Sequence, residues 1–188
     1  SKREIDSLFK KVNNVIRPYN IHPSACGIGT KSFEIRGHKL RVTNMLGVAF
    51  INEHDPSNPF VALDEIVSKN EDKVHIIDFH AEATGEKYAL ALDFDGKVSA
   101  VLGTHTHIQT VDSRIFPNGT AFISDVGMTG PYNSIIGCKQ EQVIYRNRTG
   151  LPARFDVAEG VAQVCAVVLD IDEETGKTTN IERVYFVE

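Results

Sequence analysis

Two short apolar segments, each followed by histidine, constrain this chain more than any other feature of its sequence. Residues 74–79 and 98–102 are rich in β-branched and other apolar side chains, and polar residues follow each segment at once. Segments of this kind are typical of buried strands in a parallel sheet. His80 ends the first segment, and His105 and His107 follow the second. Because ligands bind outside the carboxyl ends of such strands, we expect these three histidines to meet at one site.

The three histidines predict a metal site, since neutral imidazole is the commonest metal ligand in proteins. Residues two apart on an extended backbone point the same way, so His105 and His107 are expected to converge on one centre. Three nitrogen ligands are enough to hold a single zinc ion with an open position for water. The other histidines show no such clustering and are interpreted as surface or core residues: His22, His38, His54 and His75.

Three acidic residues follow the predicted strands closely enough to take part in the site. Asp78 is expected to share the strand face of His80 and to accept a hydrogen bond from a ligand histidine. Glu82 belongs either to the site or to the cap of the next helix. Asp125 ends a further apolar strand. It is interpreted either as a residue that hydrogen-bonds to a metal ligand or as an acceptor for the backbone amides of the following glycine-rich loop.

The composition is that of an ordinary globular protein of one domain, residues 1–188. Its 188 residues are 41% hydrophobic and 24% charged, with a net charge of -5. The absence of a basic patch argues against a dedicated nucleic-acid binder. Small phosphorylated molecules such as nucleotides, and RNA ends, remain candidate substrates because a bound metal supplies positive charge.

The cysteines and the hydropathy pattern bear on the compartment. Cys26, Cys138 and Cys165 are widely spaced and form no C-x-x-C pair, so neither a zinc knuckle nor a disulfide framework is indicated. No apolar run has the length of a membrane span. We therefore expect a cytoplasmic protein without membrane association, for which a homo-oligomer is compatible with the sequence.

The remaining pattern predicts an α/β chain whose last third is antiparallel. A capping box at Ser1 and Glu4 begins an amphipathic helix that is predicted to continue to about Arg17. Other predicted helices cover residues 60–67, 84–92 and 140–146. Hairpins are predicted over residues 32–45 and 114–124, and strands over residues 154–157, 161–171 and 179–187.

Four segments carry a resemblance to a known family. They are DFHAEAT (residues 78–84), GTHTHIQT (103–110), ISDVGMTGP (123–131) and RFDVAEG (154–160). In this order and spacing they resemble the YmdB-like bacterial metallophosphoesterases of the calcineurin-like phosphoesterase superfamily. The resemblance implies a metallophosphoesterase-like β-sandwich flanked by helices. It also implies a phosphodiesterase or phosphatase with two divalent metal ions, Mn or Fe first and Zn or Mg next, and a preference for cyclic nucleotides.

By position in these motifs, His80 and His105 would bind one metal ion and His107 the other. The family also uses an aspartate in G-D-x-x-G, a glutamate in N-G-E-N, and the asparagine and histidine of G-N-H, and none of these motifs occurs in this sequence. The resemblance therefore implies that the N-terminal α/β part is missing and that the general acid lies before Ser1. On this basis we expect the chain to be the C-terminal two-thirds of such a domain and to be catalytically complete only when the missing motifs are supplied.

Three functions remain open at this point. We favour a metal-dependent phosphoesterase of which this chain is a trimmed or cleaved part. The second is a mononuclear zinc hydrolase that uses His80, His105 and His107 alone. The third is a naturally shortened, catalytically incomplete module that binds metal or regulates a partner.

Overall fold

The computed structural model describes residues 2–51 and 55–188. The predicted capping serine, Ser1, and His54 lie outside these residues. The helices are α1 (Lys2–Lys11), α2 (Pro59–Ser68), α3 (Thr84–Asp93) and α4 (Gln140–Thr149). The strands are β1 (Thr30–Ile35), β2 (His38–Leu46), β3 (Val74–His80), β4 (Ala100–Thr104), β5 (Arg114–Ile115), β6 (Ala121–Ile123), β7 (Gly130–Pro131), β8 (Ala162–Ile171) and β9 (Thr178–Val187).

The larger sheet has six strands in the order β1-β2-β3-β4-β6-β5. Its central pairs, β2–β3, β3–β4 and β4–β6, are parallel, whereas the edge strands β1 and β5 pair antiparallel. Helix α2 connects β2 to β3 and helix α3 connects β3 to β4, whereas the chain passes from β4 to β6 through β5. The carboxyl ends of β3 and β4 therefore lie side by side, as the sequence predicts.

One face of the larger sheet packs on helices α2 and α3. The buried cluster joins side chains of β2, β3, β4 and β6 to those of the two helices. Alternate residues of β3, Ile77 and Phe79, enter this core, and Leu63 and Leu90 meet them from the helices. The other residues of β3, among them Asp78 and His80, consequently lie on the opposite face.

The smaller sheet has the order β7-β8-β9, and Val167 and Leu169 of β8 line a cavity with Ile76 and Leu102, which lie on the face of the larger sheet opposite the helices. Gln109, just after the last strand of the predicted site, joins the sheets: its Nε2 donates to the carbonyl oxygens of Ala166 at 3.0 Å and Val184 at 3.2 Å. At the other end, the Thr178 hydroxyl donates to the Ser99 carbonyl at 2.7 Å. The predicted α/β fold, a β-sandwich flanked by helices, is confirmed.

Local chemistry explains the confirmed elements. The hairpin β1–β2 turns through Arg36 and Gly37, which have φ values of 54° and 87°, as a two-residue turn requires. The Asn58 side chain caps α2, accepting from the amides of Phe60 at 2.9 Å and Val61 at 3.4 Å, and Pro59 takes the first helical position.

Two predicted elements are wrong. Helix α1 ends at Lys11 instead of continuing to Arg17, because Asn13 and Asn14 are weak helix formers. The chain then turns to the sheet, where the Tyr19 amide donates to the Asn44 carbonyl at 2.8 Å. The strand predicted over residues 154–157 is reduced to an isolated bridge between Cys138 and Val157.

Within the described residues, no helix has both the length and the apolar character needed to cross a bilayer.

The buried His75 makes stability depend on pH. It lies in β3, is fully buried and shares a 2.8 Å hydrogen bond with the Thr43 hydroxyl. Burial lowers the pKa of His75 from 6.5 to about 4; Arg41 adds to the shift and Asp72 opposes it. The unfolded chain thus binds a proton at mildly acidic pH that the folded chain excludes, so stability is lost as the pH falls below 6.5.

We expect the free energy of unfolding to fall by about 2 kcal/mol between pH 7 and pH 5 on account of His75. Urea denaturation at several pH values measures the change. The variant His75→Gln, which keeps a polar side chain but cannot take up the proton, should lose this part of the pH dependence. Parallel curves for the two proteins would contradict the assignment.

Candidate metal centre

The carboxyl ends of β3 and β4 bring polar side chains together on the face opposite the core. Asp78 of β3 pairs in register with Asn44 of β2, and His80 pairs with Thr104 of β4. These side chains alternate with the buried residues of the core face. The prediction that Asp78 and His80 share a strand face is confirmed.

Hydrogen bonds along this face fix the tautomer of His80. Asp78 accepts from the Asn44 amide at 2.7 Å and from the Thr104 hydroxyl at 3.0 Å. Because the single hydroxyl proton of Thr104 goes to the carboxylate, its oxygen accepts the proton on Nδ1 of His80, 3.1 Å away. Burial, and then the neighbouring His105, lower the pKa of His80 and favour the neutral ring. Its Nε2 therefore carries a free lone pair.

His105 directs a second lone pair at the same place. Its Nε2 lies 2.7 Å from Oε2 of Glu82, which is a carboxylate acceptor for the ring proton. Its Nδ1 lies 3.0 Å from Nε2 of His80, and the two rings meet edge to face. When both rings are neutral, the two facing nitrogens have no proton between them. Such an arrangement calls for a cation to occupy the space that both lone pairs face.

These donors fit a metal ion. Two nitrogen ligands bound to one ion at about 2.0–2.1 Å lie about 3 Å apart, which is the separation of the two imidazole nitrogens. Each ring also has its other nitrogen held by an oxygen, as is usual for metal-binding histidines. In the described part of the chain, however, no three His, Cys, Asp or Glu side chains group closely enough to hold an ion. The fit therefore rests on His80 and His105 alone.

The third predicted ligand, His107, follows strand β4 on a backbone that has left the extended conformation. Strand β4 ends at Thr104, and the following backbone is not extended: φ is 132° at His105 and 66° at His107. Nδ1 of His107 lies 3.0 Å from the carbonyl oxygen of Ile136. The premise of an extended backbone from His105 to His107 is therefore wrong, since the period of two applies only within a strand. The metal-binding role of His107 stays a prediction.

The roles of the acidic residues can now be separated. Asp78 acts on His80 through the Thr104 hydroxyl, so the predicted hydrogen bond from the histidine ring to this carboxylate is replaced by an indirect one. Glu82 contacts His105 directly. The alternative role of Glu82 as a helix cap is wrong, since α3 is preceded by Ala83 and its first turn receives no side-chain cap from the described residues. Glu86, one turn later, instead holds the loop after β2 through the amides of residues 48 and 49.

Asp125 is buried below the turn that carries the histidines. Its carboxylate accepts from the Gly127 amide at 2.9 Å, so its predicted role in holding the glycine-rich loop is confirmed. It also accepts from the Thr106 amide at 2.8 Å and pairs with Lys87 at 3.4 Å. Sequence reasoning missed Lys87. The sequence does contain a signal for it, which is the helical spacing of residues 87, 90, 91 and 94. These residues form one buried stripe along α3 and its C-cap.

A comparison with protein families matches residues 1–184 to the family described as YmdB-like protein. Among curated proteins, the chain is 46% identical over 185 residues to the 2',3'-cyclic-nucleotide 2'-phosphodiesterase of Bacillus subtilis. That match covers 97% of this chain and 69% of the Bacillus protein.

Two crystal structures have the same fold over nearly the whole chain. A hypothetical protein from Thermus thermophilus is 38% identical with a TM-score of 0.92, covering 99% of this chain and 72% of its own. A phosphatase from Mycoplasma pneumoniae, also 38% identical with a TM-score of 0.92, covers all of this chain and 68% of its own. The predicted enzyme class, a phosphodiesterase or phosphatase, is confirmed at the level of the family. The chain therefore belongs to the YmdB-like family.

Proposed function

We propose that the protein is a metal-dependent phosphoesterase that hydrolyses phosphodiesters or phosphomonoesters, with cyclic nucleotides as its substrate class. The observation that carries the metal dependence is the pair of imidazole nitrogens, Nε2 of His80 and Nδ1 of His105, facing each other at 3.0 Å. The substrate class follows from the similarity to the Bacillus phosphodiesterase.

His80 and His105 would hold one divalent ion, and His107 would contribute to a second. The family resemblance favours Mn or Fe for these ions, with Zn and Mg as alternatives. When bound, such ions supply Lewis acidity at the phosphoryl group and activate water for attack on phosphorus.

The protein residues prepare this site before any ligand arrives. Asp78 and Thr104 keep the proton of His80 on Nδ1. The lone pair on Nε2 is then directed at Nδ1 of His105. Glu82 performs the same task for His105 from a more exposed position. Hydrogen-bonded partners of this kind orient ligand rings and increase their basicity.

A cavity beside His107 offers space for the substrate. It has a volume of about 450 Å³ and is lined by Gln109, Arg183 and Tyr185, among others. This volume lies within the range of small-molecule sites. Arg183 gives the cavity a positive charge that suits a phosphate group, and Tyr185 offers an aromatic ring to a base.

The mononuclear zinc alternative is less well supported. It needs His107 at the same centre as His80 and His105, whereas Nδ1 of His107 contacts Ile136. A module that only binds metal would keep the same pair of histidines, so activity decides between that function and the proposed one. RNA ends remain a further substrate class, and a cytoplasmic location remains our proposal from the three free cysteines.

Hydrolysis and metal content test the proposal together. We expect the intact protein, with the family's N-terminal motifs supplied, to hydrolyse bis-p-nitrophenyl phosphate and 2',3'-cyclic AMP when Mn²⁺ or Fe²⁺ is added, and to lose this activity with a chelator. Elemental analysis should find two metal ions per intact protein. One ion would support the zinc hydrolase, and metal binding without hydrolysis of either compound would support the non-catalytic module. A protein that binds no metal would contradict all three.

A further inference from the structure

A buried ion pair lies directly beneath the candidate metal centre. Lys87 of α3 and Asp125 after β6 are each only 1% exposed, and Nζ lies 3.4 Å from Oδ2. The neighbours of Lys87 on the helix are apolar: Leu90, Ala91 and Phe94 complete the buried stripe. An apolar residue at position 87 would pack on this stripe without the cost of removing a charge from water. Packing alone therefore does not explain why a lysine and an aspartate are buried here.

The contacts of Asp125 explain the presence of the pair. One carboxylate oxygen accepts from the amide of Thr106 at 2.8 Å and the other from the amide of Gly127 at 2.9 Å. Its backbone is also fixed, because its carbonyl accepts from the Thr110 amide at 3.0 Å. The carboxylate thus ties the turn between β4 and residue 110 to the end of β6.

The turn needs such an anchor. Thr106 lies between His105 and His107, whose φ values of 132° and 66° belong to a region that side chains disfavour. Strained backbone of this kind persists only where the surroundings hold it. A bond to the middle residue from a carboxylate stabilised by Lys87 is well placed to do so. Without it, the turn is free to relax and to withdraw Nδ1 of His105 from His80.

We propose that Lys87 and Asp125 form a positioning pair that holds the turn over residues 105–107 and so sets the metal affinity of the site. The pair acts on the histidines through the backbone amide of Thr106, which lies between them in the chain. The part that concerns metal affinity rests on the proposed function. The part that concerns the turn itself does not.

The test compares Lys87→Met with the double variant Lys87→Met/Asp125→Asn. The single variant leaves a buried carboxylate without its counter-charge and is expected to lose thermal stability. The double variant removes both charges, so its melting temperature should recover. Its asparagine has one carbonyl oxygen, so it accepts from only one of the two amides. Leu90→Ala, on the same stripe of α3, is the matched control for a loss of stability alone.

Two measurements are made on these variants. Calorimetric titration with Mn²⁺ should give about 10- to 100-fold weaker binding for the double variant than for the wild-type protein, as for other losses of outer partners. Hydrogen exchange in the metal-free protein should show faster exchange of the Thr106 amide in the double variant. Leu90→Ala should lower the melting temperature and leave the Mn²⁺ affinity within about twofold of wild type.

A double variant with wild-type Mn²⁺ affinity and an equally protected Thr106 amide would overturn the proposal. An affinity that falls as much in Leu90→Ala as in the double variant would also overturn it, because stability alone would then explain the loss. If the wild-type protein binds none of Mn²⁺, Fe²⁺, Zn²⁺ and Mg²⁺, the proposed function fails. The exchange of the Thr106 amide still decides whether the pair holds the turn.

Discussion

Replacing His105 by alanine should lower kcat/KM for bis-p-nitrophenyl phosphate by at least about 100-fold. The change removes the nitrogen that faces His80 at 3.0 Å and leaves a single imidazole at that position. The fold should persist, because the His105 side chain is 36% exposed and lies in a turn outside the core. Steady-state kinetics with added Mn²⁺, together with elemental analysis and circular dichroism, separates loss of the site from loss of the structure.

The matched control is His22→Ala. His22 is an exposed histidine whose ring contacts only the neighbouring Ser24 among its hydrogen-bond partners in the described residues. It should keep the activity of the wild-type protein. Glu82→Gln should give an intermediate loss of about 10- to 100-fold, since it weakens the orientation of His105 without removing the ligand. Full activity and full metal content in His105→Ala would show that the assignment of the site is wrong.

The sequence predicts the location of the site well because the relevant patterns belong to strands. The apolar runs that end at Phe79 and Leu102 form adjacent parallel strands, and the alternation within β3 places Asp78 beside His80. Both inferences depend only on the period of two and on the direction of parallel strands. Each inference is valid only for residues within the strand.

The geometry of the site beyond the strands is not contained in those patterns. The positive φ values of His105 and His107 flank Thr106, whose amide donates to Asp125 from another part of the chain. Lys87 is visible in the sequence as a lysine on an apolar stripe, but its partner is 38 residues away. Such long-range contacts follow from the packing of α3 against the sheet, so they become evident only once the fold is known.

The resemblance added what the patterns could not. Residue periodicity indicated three histidines and an open choice among metal chemistries, whereas the order of the four motifs implied a phosphoesterase with two metal ions. The family match and the Bacillus phosphodiesterase confirm that class. The number of metal ions, their identity and the substrate remain predictions for the experiments above.

Gly103 is the residue of the GTHTHIQT motif whose replacement should cost the most stability. It lies in β4, and a β-carbon built there would clash with the carbonyl oxygen of Ser124 and lie 3.0 Å from that of Ile123. Both atoms belong to the backbone at the end of β6, which cannot move aside as a flexible side chain would. The Gly103 carbonyl also accepts from the Val126 amide at 2.9 Å, so the two segments are held at this short distance.

We therefore expect Gly103→Ala to lower the free energy of unfolding by about 3 kcal/mol or more, as measured by urea denaturation. Gly85→Ala is the matched control. Gly85 lies in the first turn of α3 with nothing within 4 Å of its added β-carbon, so alanine there should be neutral or stabilising by up to about 1 kcal/mol. Because Asp125 follows Ser124 directly, any Gly103→Ala protein that folds should also bind Mn²⁺ more weakly. A Gly103→Ala variant within about 0.5 kcal/mol of wild type would mean that the end of β6 does not need this close approach, and that the anchor of the His105 turn tolerates displacement.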